Sequence, residues 1–234
     1  MVYEIIKNKK FRVFLDSLII TVLILMIGFI MGYYVEYLRT DKIVQSAKDF
    51  EISALDLKLQ NYYYEIMDST SCKNAIDQNF IFADKIYNTG LTLERYENVN
   101  ELSKDILLEK KRYVLLKNEL WLNSLLLKKK CNSPFHTIVY LYTQKTDTKK
   151  DAEQSAISDT LKKIKEEHGN QVVLIPIAGD LGLDSVDMQM KIYNVNYLPS
   201  IILDEKKVLE GFHNQNEIEN ILFNGTINNT VKQK

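Results

Sequence analysis

Cys72 and Cys131 are the only thiols in this chain of 234 residues, and 59 positions separate them. Three chemistries are open to such a pair: a structural disulfide, two buried free thiols, or a redox-active couple. The spacing is not the C-x-x-C in which an attacking thiol of lowered pKa stands beside its resolving partner. Closing a loop of about 60 residues contributes roughly 4 kcal/mol by chain entropy, so a structural bond has a physical rationale. Neither cysteine has histidines at ligand spacing, so no zinc site and no other metal is expected. His136, His168 and His213 are scattered and form no recognisable triad with carboxylates or hydroxyls. No Gly-rich phosphate loop is present, which argues against a nucleotide enzyme. We therefore expect no catalytic residue and no cofactor.

The elements that must position these residues begin with a membrane segment. Ser17 to Val35 carry no charged side chain and span roughly 28 Å as a helix, close to the hydrocarbon thickness of a bilayer. No small-x-small cleavage site follows, and Tyr33, Tyr34 and Tyr37 mark the exit interface. Lys7, Lys9, Lys10 and Arg12 precede the span, whereas Glu36, Arg39, Asp41 and Lys42 after it cancel. The positive-inside rule then puts residues 1–13 in the cytoplasm, a single transmembrane helix at 14–37 in contact with lipid, and the rest outside. The expected location is the cell membrane. Gly28 and Gly32 form a small-xxx-small pair through which two spans could pack as a homodimer.

Composition narrows the rest. Lys plus Arg number 30 against 31 Asp plus Glu, a net charge of −1, which argues against a nucleic-acid binder with a broad basic surface. Three prolines and eight glycines leave little room for a long disordered linker.

Residues 38–132 read as a helical bundle. Apolar side chains recur at three and four: Ile43, Ala47, Phe50, Ala54 and Leu57, then Ile76, Phe80, Ala83 and Tyr87. A third stretch holds Leu102, Ile106, Tyr113, Leu116, Leu120 and Leu125. Asp68-Ser69-Thr70-Ser71 offers N-cap oxygens, and Asn88-Thr89-Gly90 reads as a helix stop. Lys128, Lys129 and Lys130 complement the negative end of the last helix. Cys72 opens one helix and Cys131 closes another; in an antiparallel bundle those ends can be neighbours, and outside the cytoplasm a disulfide between them would persist.

After Pro134 the pattern changes. His136 to Tyr142 reads as a buried strand, Lys149 to His168 as an amphipathic helix, Val172 to Ile177 as a strand, and Asp184 to Tyr193 as a short helix. Pro199 opens the strand Ser200 to Leu203; Asp204 to Lys207 turns, Val208 to Phe212 returns, and Glu217 to Phe223 closes as a helix. The order is β-α-β-α-β-β-α over 133–224, followed by a polar tail, 225–234. The sequons Asn224-Gly225-Thr226 and Asn228-Asn229-Thr230 fall in and next to that tail. The fold class expected is α+β/α with an N-terminal transmembrane helix.

Asn194-Val195-Asn196-Tyr197-Leu198-Pro199-Ser200-Ile201-Ile202-Leu203 with Gly211-Phe212 resembles the second half of a thioredoxin domain, and the resemblance covers Phe135 to Phe223. It implies that Pro199 takes the place of the family's cis-proline, which sits beside the active site and helps bind extended chains. It also implies a C-x-x-C after the first strand. Here the strand runs instead into Thr143-Gln144-Lys145-Thr146-Asp147-Thr148-Lys149-Lys150-Asp151, with Thr148 and Asp151 where the cysteines would be. Threonine and aspartate cannot exchange disulfides, and helix capping is the simplest role for Thr148 or Asp147. The layout of anchor, bundle and thioredoxin-like domain is similar to uncharacterised membrane-anchored archaeal proteins.

The function expected is a non-enzymatic, redox-inactive module that holds a protein or peptide in a groove formed by Pro199, Leu198, Thr148 and Asp151. One alternative is a thiol-disulfide oxidoreductase that uses Cys72 and Cys131. Another is a structural subunit of a membrane complex.

Overall fold

The structure, a computed structural model, describes residues 9–97, 104–132, 135–144 and 147–224. Pro134, residues 1–8 and the tail from 225 lie outside the described residues, as do the side chains of Ile43, Ala47, Phe50, Leu102 and Ile106. The chain divides into two compact units, 1–49 and 50–234. Helix α1 is Lys9–Ile66.

In the first unit, Val13–Val35 of α1 has a mean hydropathy of 2.7 over 23 residues, none of it buried. At 1.5 Å per residue this gives about 35 Å, long and apolar enough to cross a membrane. The hydroxyls of Ser17 and Thr21 donate to the carbonyls of Phe14 (2.9 Å) and Ser17 (2.8 Å), so both polar groups are satisfied inside the helix. Gly28 and Gly32 face open space.

In the second unit, α1 ends at Ile66 and a 3-10 turn, Ser69–Ser71, leads into α2, Cys72–Glu97. The Asp68 carboxylate accepts from Thr70 Oγ1 at 2.6 Å and Ser71 Oγ at 3.3 Å, the turn chemistry its sequence advertises. Helix α3, Lys104–Cys131, returns antiparallel to α2. Cys72 is bonded to Cys131 (S–S 1.99 Å, Cα–Cα 5.6 Å), and Asn79 Nδ2 donates to Ser124 Oγ at 3.0 Å. Further along, the Tyr113 hydroxyl donates to the Ile86 carbonyl at 3.0 Å. Cys72 to Asn79 and Cys131 to Ser124 are each a step of seven, as one antiparallel register requires.

Asn88-Thr89-Gly90 does not stop α2. A Cβ at Gly90 would collide with the Tyr113 phenol, so the glycine is a site of close helix approach. The last turns of α1 bury Leu57 and Tyr64 on this hairpin, where Asn123 Nδ2 meets the Leu57 carbonyl at 3.4 Å.

Strands β1 (His136–Tyr142), β2 (Val172–Ala178), β3 (Ser200–Leu203) and β4 (Lys207–Glu210) form one sheet in the order β2-β1-β3-β4. β1 and β2 are parallel from His136↔Val172 to Tyr142↔Ala178, joined through α4, Thr148–His168. β3 runs antiparallel to β1, and β4 antiparallel to β3. Pro176 fits in β2 because that is an edge strand, where a missing N–H is tolerated. Helices α5, Asp184–Ile192, and α6, Gln215–Glu219, complete the order, and a π-helical turn, Asn220–Asn224, follows α6.

Both faces of the sheet are buried, which accounts for the unbroken apolar run Ile138 to Leu141. One face, with Ile138, Tyr140, Val172, Ile201 and Leu203, packs on Ile157, Leu161 and Ile164 of α4 and Ile218 of α6. The other, with Val139, Leu141, Val173, Ile175, Ile177 and Ile202, shares a core with Phe80, Leu120, Trp121 and Leu127 of the helical hairpin and Val186 of α5. Sheet and hairpin are therefore layers around one core.

We predict that the Cys72→Ala/Cys131→Ala double variant retains its helix and strand content but loses about 2–4 kcal/mol of stability. Urea denaturation of the full chain in detergent, followed by circular dichroism, measures this. An unchanged midpoint would contradict it.

Candidate functional site

The register brings four separate segments to one end of the sheet. Tyr142 pairs with Ala178, Leu141 with Ser200, and Ser200 with Glu210. The loop after β1, the loop after β2, the approach to β3 and the exit of β4 therefore meet where the parallel strands end. In open α/β sheets that end is the usual place for a ligand.

Leu198-Pro199 is cis, Pro199 is buried, and its carbonyl accepts from Gly211 N at 2.9 Å. Half-buried Leu198 lies over Gly179, where a Cβ would come within 2.9 Å of Leu198 Cδ1 and 3.2 Å of Met190 Sδ. Thr148 and Asp151 occupy the exposed first turn of α4, and the residue that caps the helix is Asp147, whose side chain accepts from Lys150 N at 2.9 Å. Lys150 Nζ sits 5.5 Å from the Tyr197 ring centroid, a cation–π contact joining that turn to the loop before Pro199.

The loop after β1 is held from two sides. Asp180 accepts from Thr143 Oγ1 (2.6 Å) and Gln144 N (2.8 Å), while buried Gln154 accepts from Thr143 N (2.8 Å) and donates to its carbonyl (3.1 Å). Gln154, Asp180, Lys150 and Tyr197 were not singled out by sequence reasoning, because nothing local distinguishes them from solvated residues. Two clefts of about 470 and 540 Å³ lie elsewhere; neither is lined by Pro199, Leu198, Thr148 or Asp151.

The cysteines sit at the other end. Cys131 closes α3 just before β1 starts, and Lys73, next to Cys72, lines a cleft with Phe135, Asn170 and Gln171 at the beginnings of β1 and β2. The seven residues of β1 rise roughly 20 Å between that end and the loop at Thr143.

Three further polar clusters have chemical potential. At the start of β1, Lys128 Nζ donates to Asp204 Oδ1 (2.6 Å), Glu205 Oε2 (3.0 Å) and Thr137 Oγ1 (3.0 Å). His136 Nδ1 meets Asp204 Oδ2 at 2.6 Å, and Trp121 Nε1 donates to Glu205 Oε1 at 3.0 Å. Burial would raise the Asp204 pKa, but hydrogen bonds from His136, Lys128 and Thr137 N, with the Lys128 charge, hold it far below the usual carboxylate range. Asp204 and Glu205 have φ of 48° and 56°, so both central residues of the β3–β4 turn are left-handed, as a type I′ turn requires. Lys128 is thus a half-buried ion-pair residue rather than a solvated helix-end charge.

In the second cluster, Lys117 of α3 is 5% exposed, and its ammonium lies 4.1 Å from the Tyr113 ring. Among the described residues no carboxylate pairs with it. Burial pushes its pKa down from 10.5 to about 7. In the third, Glu167, His168 and Glu219 bring ligand-type atoms within 4.8 Å of one another, a grouping that spacing alone did not suggest. Gln215 Nε2 already donates to Glu167 (2.7 Å) and Glu219 (3.0 Å), and His168 stacks on Phe223 at 4.3 Å, so the cluster ties α4 to α6.

No protein-family profile, curated protein or solved structure matches this chain.

Two predictions follow from these contacts. Below about pH 7 Lys117 is charged in folded and unfolded chains alike and its burial penalty is complete. Between about pH 7 and 10.5 the unfolded chain holds more protons, so stability rises with pH across that window. Lys117→Met should raise stability by a few kcal/mol at pH 6.5 and flatten that rise; urea midpoints at pH 6.5, 8 and 9.5 provide the check. Gly179→Val forces branches into Leu198 and Met190 and should cost about 1–3 kcal/mol while shifting the Tyr197 and Leu198 resonances in NMR spectra.

Proposed function

We propose that this chain is a single-pass membrane protein, N-terminus in the cytoplasm, whose outer region carries a thioredoxin-like domain that binds extended polypeptide without thiol chemistry. The observation that carries this reading is the separation of thiols from the Pro199 end. Cys72 and Cys131 are spent on each other at the opposite end of β1. At the Pro199 end the groups on offer are Tyr197, 41% exposed, Phe212, 52% exposed, and the Lys150 ammonium.

Such a surface favours binding over reaction. Aromatic rings supply contact area at low entropic cost, a lysine supplies one charge-assisted donor, and neither makes or breaks a covalent bond. Asp180 and Gln154 hold Thr143 and Gln144, so the exit of β1 is organised before a ligand arrives. The apolar helix Val13–Val35 supports the anchor. The bonded cysteines agree with an oxidising compartment outside the cytoplasm.

The test pairs two assays on the full chain in nanodiscs. A permanently unfolded, reduced and carboxymethylated polypeptide should bind, and Tyr197→Ala with Lys150→Ala should weaken that binding about tenfold, roughly 1.4 kcal/mol. Catalytic reduction of a model disulfide should stay at background. Turnover that disappears in Cys72→Ala would sink the binding-module reading in favour of an oxidoreductase.

A further inference from the structure

Within one stretch, α1 presents two apolar faces. Leu57 and Tyr64 are buried on the α2–α3 hairpin. On the side away from them, Ile52, Leu55, Leu59, Tyr62 and Ile66 follow one another at steps of three, four, three and four. They are 64%, 57%, 66%, 63% and 80% exposed, and Tyr63 beside them is 60% exposed. That alternation is the a/d seam of a left-handed coiled coil, with Ile52, Leu59 and Ile66 at a and Leu55 and Tyr62 at d. The buried Leu57 and Tyr64 fall at f, the position opposite the seam.

We infer that this seam is an interface with a second copy of the chain, the two α1 helices lying parallel and in register. Pairing of a with a and d with d is self-complementary, so a two-fold dimer needs no foreign sequence. Isoleucine at two of three a positions with leucine at one of two d positions is the pattern that favours two parallel strands. Side chains of this size at these exposures leave roughly 100 Å² each, hence about 600 Å² per copy and about 1,200 Å² per pair, the lower edge of a stable interface. Lys58 at g would lie over the Tyr63 ring at e of the other copy. Glu51 would face Asp56, a like-charge contact at the margin of the seam that salt screens.

Two heptads are too short to associate tightly in free solution. The direction and strength of pairing therefore rest on the membrane reading. Two chains anchored in one bilayer leave it in the same N-to-C direction and meet at a raised local concentration. Gly28 and Gly32 are not needed for this contact.

The test uses single cysteines in the full chain within membranes, where Cys72 and Cys131 occupy each other. Ile52→Cys, Leu59→Cys and Ile66→Cys should each give a covalent dimer on mild oxidation, at least tenfold above Asp77→Cys, an exposed position on α2. Adding Leu55→Glu to Ile66→Cys should abolish the dimer. Absence of dimer above the Asp77→Cys level overturns the proposal. So does a dimer linked at 59 but at neither 52 nor 66, which would mean antiparallel helices. Cysteines at 52 and 66 shielded from a water-soluble maleimide in a monomer would assign the seam to lipid and equally overturn it. Alkaline carbonate extraction of the same membranes reports anchoring on its own, so a failed anchor is told apart from a failed interface.

Discussion

A four-stranded sheet with two apolar faces must be covered twice, and the rest of this structure is arranged around the second cover. α4 and α6 shield one face in the way a β-α-β-α-β-β-α chain provides for itself. The face of Val139, Leu141, Val173, Ile175, Ile177 and Ile202 is closed partly by α5 and otherwise by the helical hairpin that precedes the sheet in sequence. Leaving those six side chains wet would cost on the order of 10 kcal/mol, comparable to the net stability of a domain. The hairpin is for this reason part of the fold.

The cover is aligned by directional contacts at its edge. Trp121 stacks on Tyr193 at 5.3 Å and donates to Glu205, and Lys128 reaches both carboxylates of the β3–β4 turn. Burying that lysine without its carboxylates would be strongly unfavourable, and so would the reverse. The network therefore favours one docking angle of α3 on the sheet. It also holds a turn in which aspartate and glutamate occupy backbone conformations that glycine or asparagine adopt more easily.

Much of this was legible residue by residue. Strands announced themselves through apolar runs, and the turn after α1 through Asp68. What was hidden has one physical source. A helix covered on several sides no longer sorts its residues by polarity. Thus α3 buries Glu109, Lys117, Asn118, Asn123 and Ser124, yet exposes Leu108, Leu115 and Leu122. Gly90 reads as a stop in sequence because its role depends on Tyr113, which only the folded hairpin supplies. Likewise Thr148 and Asp151 could be placed from the strand before them, whereas Lys150, Asp180 and Gln154 gain meaning from partners on other elements.

The bond between Cys72 and Cys131 turns the hairpin into a covalent ring. A peptide bond cut anywhere between those residues opens the ring but releases no fragment. The α1 side and the sheet side stay one molecule, and the antiparallel contacts of α2 and α3 keep their partners at hand. A single proteolytic nick in that ring therefore leaves in one piece a protein that, unbridged, would fall into two fragments.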